Sequence, residues 1–127
     1  TGTTLRKNGL KIIGQIMESY TTIIANIASF EDPVKRKEIE EIVTLLMGVI
    51  DARNKVLISM NVPAASLDSI VANLPALKKP TVAKLHGIDY FSLETVVLKS
   101  KVNTLIPELK AAGAEDILEI PITKIVR

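Results

Sequence analysis

From residue 55 onward, hydrophobic and polar positions switch between two periods. In "KVLISMNVP" (Lys55–Pro63), Val56, Ile58 and Met60 alternate with Leu57, Ser59 and Asn61. A period of two predicts a strand, and Pro63 ends it. "AASLDSIVANLPAL" then places Leu67, Ile70, Val71 and Leu74 on one side of a short helix. Ser66 or Ala64 opens that helix and Pro75 stops it. "KKPTVAKL" enters a second strand after Pro80. "HGIDY" is a turn in which Gly87 is free to take positive φ. "YFSLETVVL" is a third strand. Val102, Leu105, Ile106 and Leu109 mark a second helix with Gly113 at its C-terminal cap, and Pro107 inside it bends it or restricts its start. "DILEIPITKIV" is the last strand, and Pro121 puts its end at a sheet edge. The order strand-helix-strand, strand-helix-strand predicts an α+β, ferredoxin-like βαββαβ domain: an antiparallel sheet with both helices on one face.

Upstream, residues 33–53 read as a longer helix. Asp32 is a good N-cap and Pro33 suits the first helical position. Ile39, Ile42, Leu46, Val49 and Ile50 form one apolar stripe. Lys35, Arg36 and Lys37 in the first turn oppose the helix dipole, and Glu40 and Glu41 offset this only in part. Residues 10–27 are ambiguous. Ile12, Ile16, Tyr20, Ile23 and Ile27 recur at helical spacing, yet Gly14 and the density of Ile and Thr favour strands.

Composition narrows the class. Of 127 residues, 47% are hydrophobic and 24% charged, enough for a real core. With two Tyr, two Phe and no Trp, that core must be built from Ile, Leu, Val and Ala. A formal charge of +2 does not argue for nucleic acid. The chain has no Cys, hence no disulfide framework and no thiolate metal site. No signal segment opens it and no apolar run approaches the ~18 residues of a membrane span. The expectation is a cytoplasmic protein, truncated or processed since it begins with Thr1.

Candidate chemistry is sparse. "TGTT" (Thr1–Thr4) offers consecutive backbone N–H groups and three hydroxyls, suitable for a phosphate, although a terminal Thr/Gly segment also reads as a frayed tail. "LPALKKPT" (Leu74–Thr81) is a rigid connection able to hold carbonyls and the Thr81 hydroxyl toward a small ligand. His86, the only histidine, has just Asp89 nearby as a metal partner and reads as a turn residue. No catalytic triad or acid–base pair assembles. An RNA-binding domain shares the βαββαβ order, but Tyr90 and Phe91 point to opposite faces, so at most one stacks on a base.

"TGTTLRKNGL", "LISMNVP", "LPALKKPTVAKL" and "VNTLIPELKAAGAEDILEIPITKIV", in this order, resemble the C-terminal part of the long form of ATP phosphoribosyltransferase, which opens histidine biosynthesis. The most telling pieces are Leu74-Pro75-x-Leu77-x-x-Pro80-Thr81 and "GAEDILEIPI". The resemblance implies a C-terminal fragment in three parts: 1–30 from the end of the catalytic region, with a pair of extended strands over 10–27; a connecting helix over 31–54; and a ferredoxin-like regulatory domain over 55–127. It implies that Thr1, Gly2, Thr3 and Thr4 hold the 5-phosphate of phosphoribosyl pyrophosphate, and that the parent joins this substrate to ATP with Mg²⁺. The fragment alone is expected to be inactive, with no catalytic or metal-binding residue of its own; a catalytic cleft completed in trans by a partner subunit is a competing reading. The regulatory domain is implied to bind L-histidine as feedback inhibitor in a homo-oligomer, hexamer or dimer. Carried over, Asn61, Leu77, Thr81 and Asp116 are the histidine-site residues, Asp116 through its backbone. Asn61 carries no charge where some members have an acid, which predicts weaker ammonium binding. The alternative is a stand-alone ferredoxin-like sensor or oligomerisation module.

Overall fold

Asp32 starts the longest helix as its side chain predicts. Its Oδ1 accepts from the backbone N–H of Val34 at 2.9 Å and of Lys35 at 3.3 Å, satisfying donors that a helix start leaves without partners. The computed structural model describes residues 3–75 and 79–126. The chain divides into two units, Thr1–Arg36 and Lys37–Arg127.

In the first unit, α1 (Thr3–Lys7) closes on Gly9, whose φ is +66°. The N–H of Leu10 donates back to the Leu5 carbonyl at 2.9 Å, the bond by which a left-handed residue ends a helix. α2 (Ile27–Glu31) is capped by Asn26, whose side chain accepts from Ser29 N–H at 3.3 Å. Arg36 lies 4.6 Å from the Phe30 ring centre and donates from Nε to the Phe30 carbonyl at 2.7 Å. Between α1 and α2 the expected pair of strands is not formed: residues 11–26 carry no regular secondary structure. The physical reason is that a strand exists only through its ladder, and a lone two-stranded ribbon is marginal in water. Ile13 and Ile16 are fully exposed, so neither the period of two nor that of 3.6 has a core to face.

α3 (Pro33–Ala52) runs from the first unit into the second. Its sequence stripe does not become its buried face. Ile42, Leu46, Val49 and Ile50 are exposed, and the buried residues are Gly48 and Ala52. The helix ends at Asn54, which takes φ +62°, a conformation that Asn tolerates better than most residues.

The second unit holds the sheet. β1 (Lys55–Pro63) alternates: Val56, Ile58, Met60 and Val62 are buried, and their neighbours are half-exposed. A 3-10 turn at Ala64–Ser66 leads into α4 (Leu67–Asn73). β2 (Thr81–Lys84) and β3 (Tyr90–Leu98) form a hairpin whose turn uses Gly87 at φ +79°. A second 3-10 turn at Lys99–Lys101 opens α5 (Val102–Ala111), which continues through an exposed Pro107. Its end is a complete left-handed cap. Gly113 sits at φ +97°, its N–H bonds to the Lys110 carbonyl at 3.1 Å, and Ala114 N–H bonds to Leu109 at 2.9 Å. Ala114 and Leu109 are both buried in the core, the contact that usually accompanies this motif. β4 (Glu115–Pro121) closes the sheet.

The strand order is β2-β3-β1-β4 and every pairing is antiparallel. That is the ferredoxin-like arrangement, with Pro121 at the end of an edge strand as expected. Val56, Ile58, Met60, Val62, Leu93 and Val97 pack against Ile70, Val102, Leu105 and Leu109, so α4 and α5 cover the same face. The other face carries no helix of this pair.

Candidate functional site

The uncovered face takes its residues from the half-exposed positions of each strand. Register aligns Asn61 of β1 with Ser92 of β3 on one side and with Glu115 of β4 on the other. Tyr90 aligns with Pro63, and Thr81 of β2 aligns with Glu94, itself opposite Ser59. One end of the face is therefore polar. Leu118 stands opposite Ser59 at the border, and the other end carries Leu57, Val96 and Ile120.

A bulge shapes the polar end. Ser59 pairs with Leu118, but two residues later Asn61 pairs with Glu115, so β4 holds one residue more than β1. Asp116 takes φ +49° there. Such a left-handed residue re-aims its side chain and costs Asp less than a bulkier residue. Asn61 Nδ2 donates to Asp116 Oδ2 at 2.9 Å, leaving its own Oδ1 to accept. Beside this pair, Tyr90 OH donates to Glu115 Oε1 at 3.2 Å. Ser59 Oγ to Glu94 Oε1, at 3.5 Å, is at the limit of a hydrogen bond. The cluster thus combines a carboxylate fixed by an amide, a carboxylate fixed by a phenol, and an amide acceptor. It suits a small cation such as an ammonium group.

The Glu115 carboxylate holds the Tyr90 hydroxyl above its ordinary range, first by accepting its hydrogen bond and then by its charge, with smaller contributions from burial and from Asp116. The raised value favours the neutral phenol in the folded state. Its stabilising effect is full below the unfolded value of about 10 and is lost as pH rises through the higher folded value. Absorbance titration at 295 nm in a Tyr20→Phe background should show Tyr90 ionising above pH ~10, and Glu115→Gln should lower that midpoint. An unchanged midpoint in Glu115→Gln would show that the Tyr90–Glu115 bond does not form.

Of the expected histidine-site residues, the structure joins Asn61 to Asp116 and gives the Asp116 side chain a position there, beyond the backbone role implied by the resemblance. Thr81 shares the face but stands two strands away from β1, in register with Ser59 rather than with Asn61. Leu77 lies outside the described residues, as do Thr1 and Gly2. Thr3 and Thr4 form the first turn of α1, where the Thr4 carbonyl accepts from Asn8 Nδ2 at 2.8 Å. Tyr90 and Glu115 were not expected at the site. Their only sequence signals are a tyrosine at a strand start and a carboxylate next to Asp116. Phe91 lies on the covered face, aligned with Lys84, so one aromatic remains outward at this position. Among the described residues no three His, Asp or Glu side chains come together as a metal site, and no helix is long and apolar enough to cross a membrane.

The comparisons agree with the resemblance. Residues 52–124 match the family model described as "HisG, C-terminal domain", and residues 1–48 match that described as "ATP phosphoribosyltransferase". The ATP phosphoribosyltransferase of Chlorobium chlorochromatii (strain CaD3) is 48% identical over 126 residues, 99% of this chain and 43% of the relative. That of Solibacter usitatus (strain Ellin6076) is 46% identical, and that of Pelotomaculum thermopropionicum 44%, each over 99% of this chain and 44% of the relative. The chain therefore spans less than half the length of the curated relatives it matches. With nearly every residue matched by one of the two models, the chain belongs to the ATP phosphoribosyltransferase family.

Proposed function

We propose that this chain serves as the regulatory C-terminal part of an ATP phosphoribosyltransferase and binds L-histidine as a feedback inhibitor of histidine biosynthesis. The observation that carries the reading is the Asn61–Asp116 hydrogen bond at the β4 bulge. Histidine presents an ammonium group, a carboxylate and an imidazole. In this reading the Asp116 carboxylate and Asn61 Oδ1 accept from the ammonium, which offsets the missing charge at position 61. Glu115 adds negative potential. Leu77 and Thr81, on the proline-flanked connection and the strand after it, serve the rest of the ligand.

The parent reaction, in the same reading, transfers the phosphoribosyl group of phosphoribosyl pyrophosphate to ATP and releases pyrophosphate. Thr1, Gly2, Thr3 and Thr4 hold the 5-phosphate, and the remaining catalytic groups belong to the part of the relatives that this chain does not span. Among the described residues no three His, Asp or Glu side chains come together to hold the Mg²⁺ implied by the resemblance, and in this reading its ligands belong to the parent enzyme. The exposed stripe of α3 and the apolar end of the open sheet face support assembly into a homo-oligomer. The absence of Cys is compatible with a reducing compartment, and we place the protein in the cytoplasm.

Isothermal calorimetry of the chain with L-histidine, run beside sedimentation, tests the reading. Saturable heat with histidine and none with leucine or glutamine is the expected result. An oligomeric sample that gives no heat with histidine would refute it.

A further inference from the structure

The residues after β4 return to α3 and cross it at Gly48. Ile125 N–H donates to the Gly48 carbonyl at 2.9 Å. A Cβ built on Gly48 would stand 2.8 Å from Lys124 Cγ, 3.2 Å from the Ile125 carbonyl oxygen and 3.2 Å from Val126 Cγ2. The first of these distances is not tolerated by real side chains, and the second involves backbone, which has little room to give. Gly48 is thus the position at which glycine admits the crossing chain. Gly48 and Ala52, one turn apart, are the buried residues of α3, whereas its large apolar residues are exposed. The helix is held to the sheet unit through a narrow contact.

The other end of the same segment is the candidate site. β4 begins at Glu115 and Asp116, runs hydrogen-bonded to β1, and ends at Pro121. Four residues later Ile125 is bonded to Gly48. α3 begins at Pro33 and continues the N-terminal segment, and the ATP phosphoribosyltransferase family model matches residues 1–48. Coupling between separated sites needs a contiguous element whose arrangement both ends can bias. Few routes are shorter than one strand and its continuation.

We propose that residues 122–126 are a strap that couples occupancy of the Asn61–Asp116 site to the docking of α3. The proposal rests on the effector reading above. A ligand that donates to the Asp116 carboxylate fixes the bulge. The bulge fixes the start of β4, and β4 carries the strap against Gly48. The site end and the α3 end then stabilise each other, and by linkage each changes the other's equilibrium by the same factor.

Hydrogen exchange of the amides in residues 45–52 reads the docking directly, with L-histidine as probe. In the unmodified chain, saturating histidine should slow this exchange by about fivefold or more, the usual scale of a coupling between sites. Gly48→Ala should speed exchange without ligand. It should also abolish the response to histidine while calorimetric binding persists with weakened affinity. Ile125→Pro removes the strap's N–H donor without altering the helix and should do the same, which guards against a local folding defect at Gly48. If exchange in both variants still responds fully to histidine, the strap is not the coupling element. If histidine gives no heat with the unmodified chain, the effector reading fails. The strap as a holder of α3 then fails too if the variants exchange no faster than the unmodified chain.

Discussion

Leu93→Ala should lower unfolding stability by about 2–5 kcal/mol, the range for emptying a packed core position of a large aliphatic side chain. Leu93 has no exposed surface. It lies on the covered face of β3, with Met60 opposite on β1 and Val82 opposite on β2. Neither neighbouring strand can close the space without losing its ladder. For a sheet unit of this size the loss corresponds to a fall in Tm of roughly 10–30 °C, measurable by circular dichroism at 222 nm. Leu118→Ala is the contrast. Leu118 is 56% exposed on the open face, and its truncation should change stability by no more than about 1 kcal/mol. Equal losses in the two variants would mean that both faces of the sheet are covered, contrary to the packing described above.

Asp116→Asn should weaken L-histidine binding by about tenfold to hundredfold, the value of a hydrogen bond to a charged group. The substitution is chosen for its backbone. Asn accepts the left-handed conformation at φ +49° as readily as Asp, so the bulge survives and only the charge is removed. Calorimetry of the variant beside the unmodified chain reads the change, and unfolding curves confirm that the sheet is intact. Affinity that falls less than threefold would move the ammonium contact away from Asp116. It would also remove the main support for histidine recognition at this end of the face.

Much of the ferredoxin-like unit was legible because its residues repeat a local signal. Val56, Ile58 and Met60 announce β1 by alternation alone, and Pro63, Pro75 and Pro80 mark the borders of the elements around α4. Gly87 and Gly113 both take the positive φ for which glycine is suited. Residues 10–27 were not legible from local pattern, since their isoleucines satisfy a helical period without any partner surface to make it real. α3 misled in a different way. Periodicity located its large apolar residues, but a helix can also dock through its small ones, and Gly48 and Ala52 leave almost no trace in hydropathy.

Of the candidate cluster at the polar end of the sheet, two members were legible in the sequence and their geometry was not. Asn61 and Asp116 were singled out separately, and their bond depends on a bulge that shifts register by one residue between Ser59 and Asn61. Nothing in a local pattern specifies which strand carries the extra residue. Tyr90 and Glu115 were missed for the same reason, since they are 25 residues apart in sequence and meet only after β1 has been placed between β3 and β4.

That central position of β1 also governs how the unit can be made. Both of its edges are filled by strands that emerge much later: Ser59 waits for Glu94, 35 residues on, and Asn61 for Asp116, 55 residues on. Contacts this distant require large loops to close before they are rewarded, which slows folding. On the ribosome, β1 leaves the tunnel early and remains half-paired until nearly the last segment of the sheet has been synthesised. A chain halted before β4 would therefore expose the β1 edge, a template for association with other nascent chains.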